Sequence, residues 1–85
     1  MLVEFNLDVL KPHQPGNFIL ARALKNVEGV SYVMIKVDEI DQQTTSIYIR
    51  IRGSEKLNID AVIECLDKNN CSLHSVDEVI ISDDN

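Results

Sequence analysis

The chain has 85 residues and a formal net charge of −6, with a pI near 4.6. A chain of this length holds one domain and buries only about 60% of its unfolded surface, which favours association into a homo-oligomer. The negative charge argues against broad contact with nucleic acid or an anionic membrane, because both would repel it.

Six segments with two different hydrophobic periods follow one another along the chain. Alternation in LVEFNLDVL predicts a first strand, and a helical period in NFILARALKNV predicts a helix that begins near Pro15 and ends at Gly29. Two strands follow, SYVMIKVDEI and TSIYIRIRG. A second helix, NIDAVIECLDKNN, takes Asn58 or Asp60 as its N-cap, and SLHSVDEVII is the last strand.

This order of strands and helices predicts an α+β fold, a ferredoxin-like βαββαβ two-layer sandwich with a four-stranded antiparallel sheet. We place the first and third strands at the centre as a parallel pair, flanked by the fourth and the second. Each strand has one apolar face for the helices and one polar face. Residues 1–82 are expected to form a single domain, and residues 83–85 an acidic tail.

The chain is expected to be cytoplasmic. No apolar run approaches the roughly 20 residues needed to span a bilayer, and polar residues interrupt the start of the chain where a signal peptide would be apolar. Cys65 and Cys71 are then expected to be reduced thiols. Their spacing is not that of a zinc or copper site, so thiolate metal binding is not expected.

A first candidate site lies at the junction of the first strand and the first helix. A helix N-terminus favours an anion, Lys11 would supply charge, and Gly16 would let a ligand approach the backbone. His13 and His74 would donate hydrogen bonds. The alternative is that the loop only turns the chain and His13 lies in solvent. The residues assigned to this ligand site are Asp8, Lys11, His13, Gly16, His74 and Ser75.

A second candidate site is acidic and is placed at the opposite end of the sheet, on the hairpin between the second and third strands. Divalent cations such as calcium or magnesium require several converging carboxylate oxygens. The alternative is a solvated hairpin that protects the sheet edge from aggregation. The residues assigned to this metal site are Glu39, Asp41, Asp77 and Glu78, and no cofactor is predicted beyond this candidate cation.

The polar face of the sheet is the third feature. Glu4 and Asp8 on the first strand should neighbour Arg50 and Arg52 on the third, either as ion pairs within the sheet or as a subunit contact. Only two tyrosines could stack on bases there, so RNA binding is not expected. Phe18, opposite the apolar stripe of the first helix, suggests a partner or packs over the helix start.

No catalytic group can be assembled from the sequence, and we predict that the protein is not an enzyme. Ser75 follows His74 directly, and adjacent strand residues point to opposite faces. Neither a Walker-type loop nor a nucleophile–base pair is present in the pattern.

Four segments, LDVLKPHQP, LKNVEGVSYVMIKVDEID, NID and LHSVDEVI, give the chain a family likeness. It resembles the small archaeal proteins grouped as domain of unknown function family 211, over essentially its whole length. The resemblance implies a ferredoxin-like fold, a ring-like homo-oligomer and an archaeal source, and it implies no activity. The positions it marks are Asp8, Lys11, Pro12, His13, Pro15, Glu39, Asp41, His74, Ser75, Asp77 and Glu78.

A shorter likeness is to amino-acid-sensing ACT domains, which place Pro-Gly at the same strand–helix junction and bind ligands between subunits near it. The sequence therefore predicts a non-enzymatic, homo-oligomeric binding or scaffold protein, with a divalent cation as a candidate ligand. The alternative is an ACT-like sensor of an amino acid or a small anion. A homo-oligomer and a small-molecule ligand are the expected partners, and neither nucleic acid nor a membrane is expected.

Overall fold

The computed structural model describes residues 1–83 and confirms the ferredoxin-like order of elements. Two residues of the predicted acidic tail, 84 and 85, lie outside the described part of the chain. The elements are β1 (Leu2–Pro12), α1 (Asn17–Lys25), β2 (Val30–Ile40), β3 (Thr44–Gly53), α2 (Ile59–Lys68) and β4 (Ser72–Ser82).

The four strands form one sheet in the order β2-β3-β1-β4, and every neighbouring pair is antiparallel. The predicted parallel pairing of β1 with β3 is wrong. The β1–α1–β2 crossover returns the chain to run β2 in the direction of β1, and the hairpin then reverses it, so β3 must oppose β1. Pro12 lies opposite Thr44. The β2–β3 hairpin is therefore at the same end of the sheet as the β1–α1 loop.

Alternation along the two central strands builds the core. The odd-numbered residues of β1 and β3 point toward the helices, which contribute two fully buried residues each. Burying one such side chain stabilises the fold by about 1.5–3 kcal/mol. The main core residues are Val3, Phe5, Leu7, Val9, Leu20, Leu24, Ile47, Ile49, Ile51, Val62 and Leu66.

Local hydrogen bonds end and begin the helices. α1 ends at Lys25, four residues before the predicted Gly29, because the next two backbone N–H groups turn back to carbonyls three residues earlier, Asn26 to Ala23 and Val27 to Leu24. The side chain of Asn58 caps α2 by accepting from the backbone N–H of Asp60 at 2.8 Å, as one predicted alternative had it. Within residues 1–83, neither helix is long and apolar enough to cross a membrane.

Two glycines allow the turn before β2 to touch the end of β3. Gly29 has φ of +85°, and a Cβ placed there would lie 2.5 Å from the backbone nitrogen of Leu57. A Cβ on Gly53 would overlap the carbonyl of Gly29, which accepts a hydrogen bond from the Ser54 N–H at 3.0 Å. This crossing, the close contact of the Gly29 turn with Gly53 and Leu57, fixes where β2 enters the sheet.

Gly29→Ala is expected to lower the free energy of unfolding by more than about 2 kcal/mol, because its Cβ would be strained and would overlap the backbone of Leu57. Gly16→Ala is the matched control. Gly16 has φ of −69° and open space around its Cβ position, so its change should cost no more than about 1 kcal/mol, the effect of alanine at an N-cap. Urea denaturation measures both, and equal losses would contradict the role assigned to the crossing.

Candidate functional site

The face of the sheet turned away from the helices carries polar side chains in rows that cross all four strands. Directly opposed residues share a face, so the register defines each row. Charged and neutral side chains alternate within these rows, and within residues 1–83 no helix covers them. The two central rows are Met34–Arg50–Asn6–Glu78 and Lys36–Tyr48–Asp8–Ser75.

The side-chain amide of Asn6 is the centre of this face and is fully buried. Its Nδ2 donates to Glu4 and to Glu78, both at 2.8 Å. Its Oδ1 accepts from the Tyr48 hydroxyl at 2.7 Å and from Arg50 Nε at 3.0 Å. The amide therefore uses both donors and both acceptor positions. Sequence patterns do not separate Asn6 from its polar neighbours, since only the register brings its four partners together.

Glu4 is the most strongly held carboxylate of the open face. One oxygen accepts from Arg52 Nε at 2.6 Å, and the other accepts from Asn6 and lies 3.6 Å from Arg50 Nε. The hydrogen bonds from Asn6 and Arg52 lower the pKa of Glu4 below its usual value. The predicted ion pairing of Glu4 with both arginines is present, and its charged form stabilises the folded state.

A groove of about 410 Å³ runs beside this network. Its floor is formed by Tyr48 and Arg50 of β3. One wall belongs to β2, and the other is made by Asp8 of β1 and Asp77 of β4. The β2 wall carries Met34, Lys36, Val37 and Asp38. Carboxylates and cations thus face each other across one concave surface.

Lys11 of the predicted ligand site lies on the helix side of β1 and is only 3% exposed. Its ammonium donates to the carbonyl oxygens of Pro12 and Pro15, both at 2.8 Å, and lies 3.4 Å from that of His13. A buried ammonium needs such partners. The ammonium of Lys11, which we expected to bind an anion, is therefore hydrogen-bonded to carbonyl oxygens of its own loop.

His13 joins the β1–α1 loop to the β2–β3 hairpin. Its Nε2 donates to the carbonyl oxygen of Gln42 at 2.9 Å, and its Nδ1 lies 3.3 Å from the Thr45 hydroxyl. The placement of the hairpin at the opposite end of the sheet from this loop is thus wrong. Gly16 is the N-cap of α1, with no side-chain hydrogen bond at the cap and open space around its Cα.

Three further residues of the predicted ligand site lie together on β1 and β4, and His13 is not among them. They are Asp8, His74 and Ser75. His74 Nδ1 lies 3.2 Å from a carboxylate oxygen of Asp8, and the Ser75 hydroxyl donates to Asp77 at 2.6 Å. Because of two register shifts, the strand pairing of β4 with β1 passes over His74 and Asp77, and neither lies directly opposite a β1 residue. Such bulges change which face a side chain takes. Strict alternation therefore could not predict that Asp77 joins Asp8 at the groove.

The four carboxylates of the predicted metal site are divided between the two edges of the sheet. Glu39 lies on β2 and Glu78 on β4 opposite Asn6, in the middle of the strand. Their expected meeting at the hairpin end is wrong, because β4 is separated from β2 by both central strands. Within residues 1–83, no three His, Cys, Asp or Glu side chains are grouped to hold a metal ion.

Comparison with known proteins agrees with the sequence likeness. A family model for DUF211, described as an uncharacterized ArCR family, matches residues 4–84. The chain belongs to this family. A relative from Methanocaldococcus jannaschii, also an uncharacterized protein, is 35% identical over 74 residues, which covers 87% of this chain and 75% of the relative. The predicted family is confirmed, and neither description of these DUF211 proteins states an activity.

Asn6→Leu is expected to lower the free energy of unfolding by about 2–3 kcal/mol, because groups that Asn6 now satisfies would lose their partner. Asn26→Leu is the control, since this side chain is exposed at the end of α1 and should change stability by less than about 0.5 kcal/mol. Urea midpoints of the two variants provide the comparison. An Asn6 variant as stable as the control would show that the network does not stabilise the sheet.

The lowered pKa of Glu4 predicts a specific acid dependence. The stability that its charge contributes is present above the unfolded-state pKa and is lost as the pH falls through the lower folded-state pKa. Glu4→Gln should therefore be less stable than wild type at neutral pH, and the gap should close toward about pH 3. Chemical denaturation across this range tests it. Glu28→Gln, at an exposed carboxylate, is the control, and a constant gap for Glu4→Gln would contradict the assignment.

Proposed function

We propose that the protein is a non-enzymatic, homo-oligomeric binding or scaffold protein whose subunits join edge to edge, with β4 of one subunit beside β2 of the next. The observation that carries this proposal is the exposed apolar edge strand β4. A chain of this size also gains stability by burying more surface in an assembly.

β4 has the properties of a strand that pairs with another chain. It is 11 residues long and lies at the edge of the sheet. Val79 and Ile81 lie on the helix side yet are 55% and 64% exposed, and Val76 is also exposed. An edge strand that is long and apolar, with no proline, is a template for further pairing. Covering it with a second copy removes both the free backbone groups and the apolar surface from water.

The β2 edge offers a complementary surface. A groove of about 330 Å³ beside this strand is lined by aromatic and basic side chains, among them Phe18, Arg22, Lys25 and Tyr32. The Arg22 guanidinium lies 5.6 Å from the centre of the exposed Phe18 ring. Asp77 of β4 lines the groove of the open face, and Asp83 follows the strand. The two edges thus share apolar side chains, and the basic groups beside β2 can attract the acidic end of β4.

Strand directions favour this contact. Because each neighbouring pair is antiparallel, β2 and β4 run in opposite directions. A β4 strand placed beside β2 of another subunit continues the sheet with antiparallel hydrogen bonds. Such a contact joins two different surfaces, and it forms a ring when its repeated rotation completes a full turn. This agrees with the assembly that the family resemblance implies.

A divalent cation, calcium or magnesium, is part of this proposal as a ligand of the subunit contact. Glu39 lies on β2 and Asp41 follows that strand directly. Asp77 and Glu78 lie on β4. Edge-to-edge association brings β2 of one subunit beside β4 of the next. Carboxylates that are separated within one chain would then approach each other between chains, where a cation would relieve their repulsion.

The state of the nucleophilic side chains supports a non-enzymatic role. Burial raises the pKa of both cysteine thiols, Cys65 and Cys71, so they are poor nucleophiles at neutral pH. The Ser75 hydroxyl donates to Asp77, and the ring of His74 is held by Asp8.

A small-molecule sensor is the second candidate function. The observation that favours it is the groove on the open face, whose volume of about 410 Å³ falls in the range of small-molecule sites. It replaces the Lys11–Gly16 loop as the location of a ligand, because the ammonium of Lys11 is occupied.

Val79→Lys combined with Ile81→Lys should convert the oligomer to a monomer at micromolar concentration, because two ammonium groups would have to be buried at the contact. Size-exclusion chromatography with light scattering measures the mass. Leu10→Lys is the control, because Leu10 is an exposed apolar residue of the central strand β1 and should not affect assembly. A monomeric wild type would contradict the proposal.

A mixing experiment distinguishes edge-to-edge contact from pairing of two β4 strands. Phe18→Glu combined with Arg22→Glu should also give a monomer, and its mixture with the β4 variant should form a dimer through the one intact contact. No dimer in the mixture would exclude the head-to-tail arrangement.

Chromatography in EDTA and in CaCl2 tests the cation: association that weakens in EDTA and returns with CaCl2 supports it, and identical masses oppose it.

A further inference from the structure

We infer that the groove on the open face binds a small zwitterion, a molecule that carries the ammonium and carboxylate groups of a free α-amino acid. The groove lies on the polar face above the two central strands, and both edge strands contribute to its walls. The inference gives a site to the second candidate function and does not depend on association through β2 and β4.

One part of the groove is suited to a carboxylate. The Nε of Arg50 donates to Asn6, which fixes the side chain beside the groove. Lys36 stands on the β2 wall and makes no hydrogen bond or ion pair with the residues that the structure describes. A guanidinium and an ammonium on adjacent strands can together bind a carboxylate.

The opposite wall is suited to an ammonium group. Asp77 is oriented by the Ser75 hydroxyl at 2.6 Å, and Asp8 is oriented by His74 at 3.2 Å. Both carboxylates line the groove. Each keeps acceptor positions that these single hydrogen bonds do not use. A ligand ammonium placed between them would form charge-assisted hydrogen bonds.

The distribution of charge favours a zwitterion over a simple ion. Lys36 and Arg50 would repel a bare cation, whereas Asp8, Asp38 and Asp77 would repel a phosphate or a nucleic acid. A molecule with both charges satisfies both walls. Tyr48 and Met34 supply apolar surface between them, as small-molecule sites commonly do.

Isothermal titration calorimetry of the 85-residue chain with each proteinogenic amino acid tests the inference. At least one free amino acid should bind, and its N-acetylated and its amidated derivatives should each bind about tenfold more weakly or worse, because each has lost one charge. Lys36→Gln and Asp77→Asn should weaken binding to a similar degree. Lys56→Gln and Asp67→Asn, which remove exposed charges of the same kinds outside the groove, should bind as wild type does.

Three outcomes would overturn the inference. The first is that none of the amino acids gives a saturable heat. The second is that the derivatives lacking one charge bind as tightly as the free amino acid. The third is that the groove variants and the control variants bind equally. The monomeric Val79→Lys/Ile81→Lys variant separates the two proposals, since it should retain the ligand if the groove is complete in one chain. Loss of binding in that monomer, with the wild type still binding, would oppose a groove complete within one subunit.

Discussion

The open face of this sheet depends on one buried amide. Asn6 lies on the central strand β1 with all four of its hydrogen-bonding positions filled. Its partners come from β1, β3 and β4, so the amide joins three strands on the side where no helix covers them. Without it, Glu78 would lose this donor, and Glu4 would keep only its two arginine partners. A polar group that is fully satisfied can specify one register, because a shift by one residue would leave it unpaired.

This network also determines what the rest of the face can do. By holding Arg50 through its Nε, Asn6 fixes one side of the groove, and the hydrogen bonds of His74 and Ser75 fix the carboxylates on the other side. Rigid charged groups of both signs suit a small molecule that carries both charges. The two sheet edges are different in character. They present backbone and apolar side chains, which suit another protein chain.

The sequence could predict many of the residues that form the candidate site, but it could not predict how they are arranged in space. Asp8, His74 and Ser75 were predicted to share a ligand site, and the structure brings Asp8 to both β4 residues. Lys11 was predicted to be available for an anion, but it continues the buried face of β1, so its ammonium binds the carbonyls of its own loop. The sequence shows the charge of a lysine and does not show which carbonyls the loop will place beside it.

The sequence by itself determined the order of the elements, the family and the apolar face of each strand, and it limited the cap of α2 to Asn58 or Asp60. These follow from local periodicity and from short-range hydrogen bonds such as that from the Asp60 N–H to Asn58. Only the tertiary structure decided the two bulges of β4 and the partners of Asn6. Each of these depends on the register between strands that are distant in the chain, and register is set by side chains packing and bonding across the whole sheet.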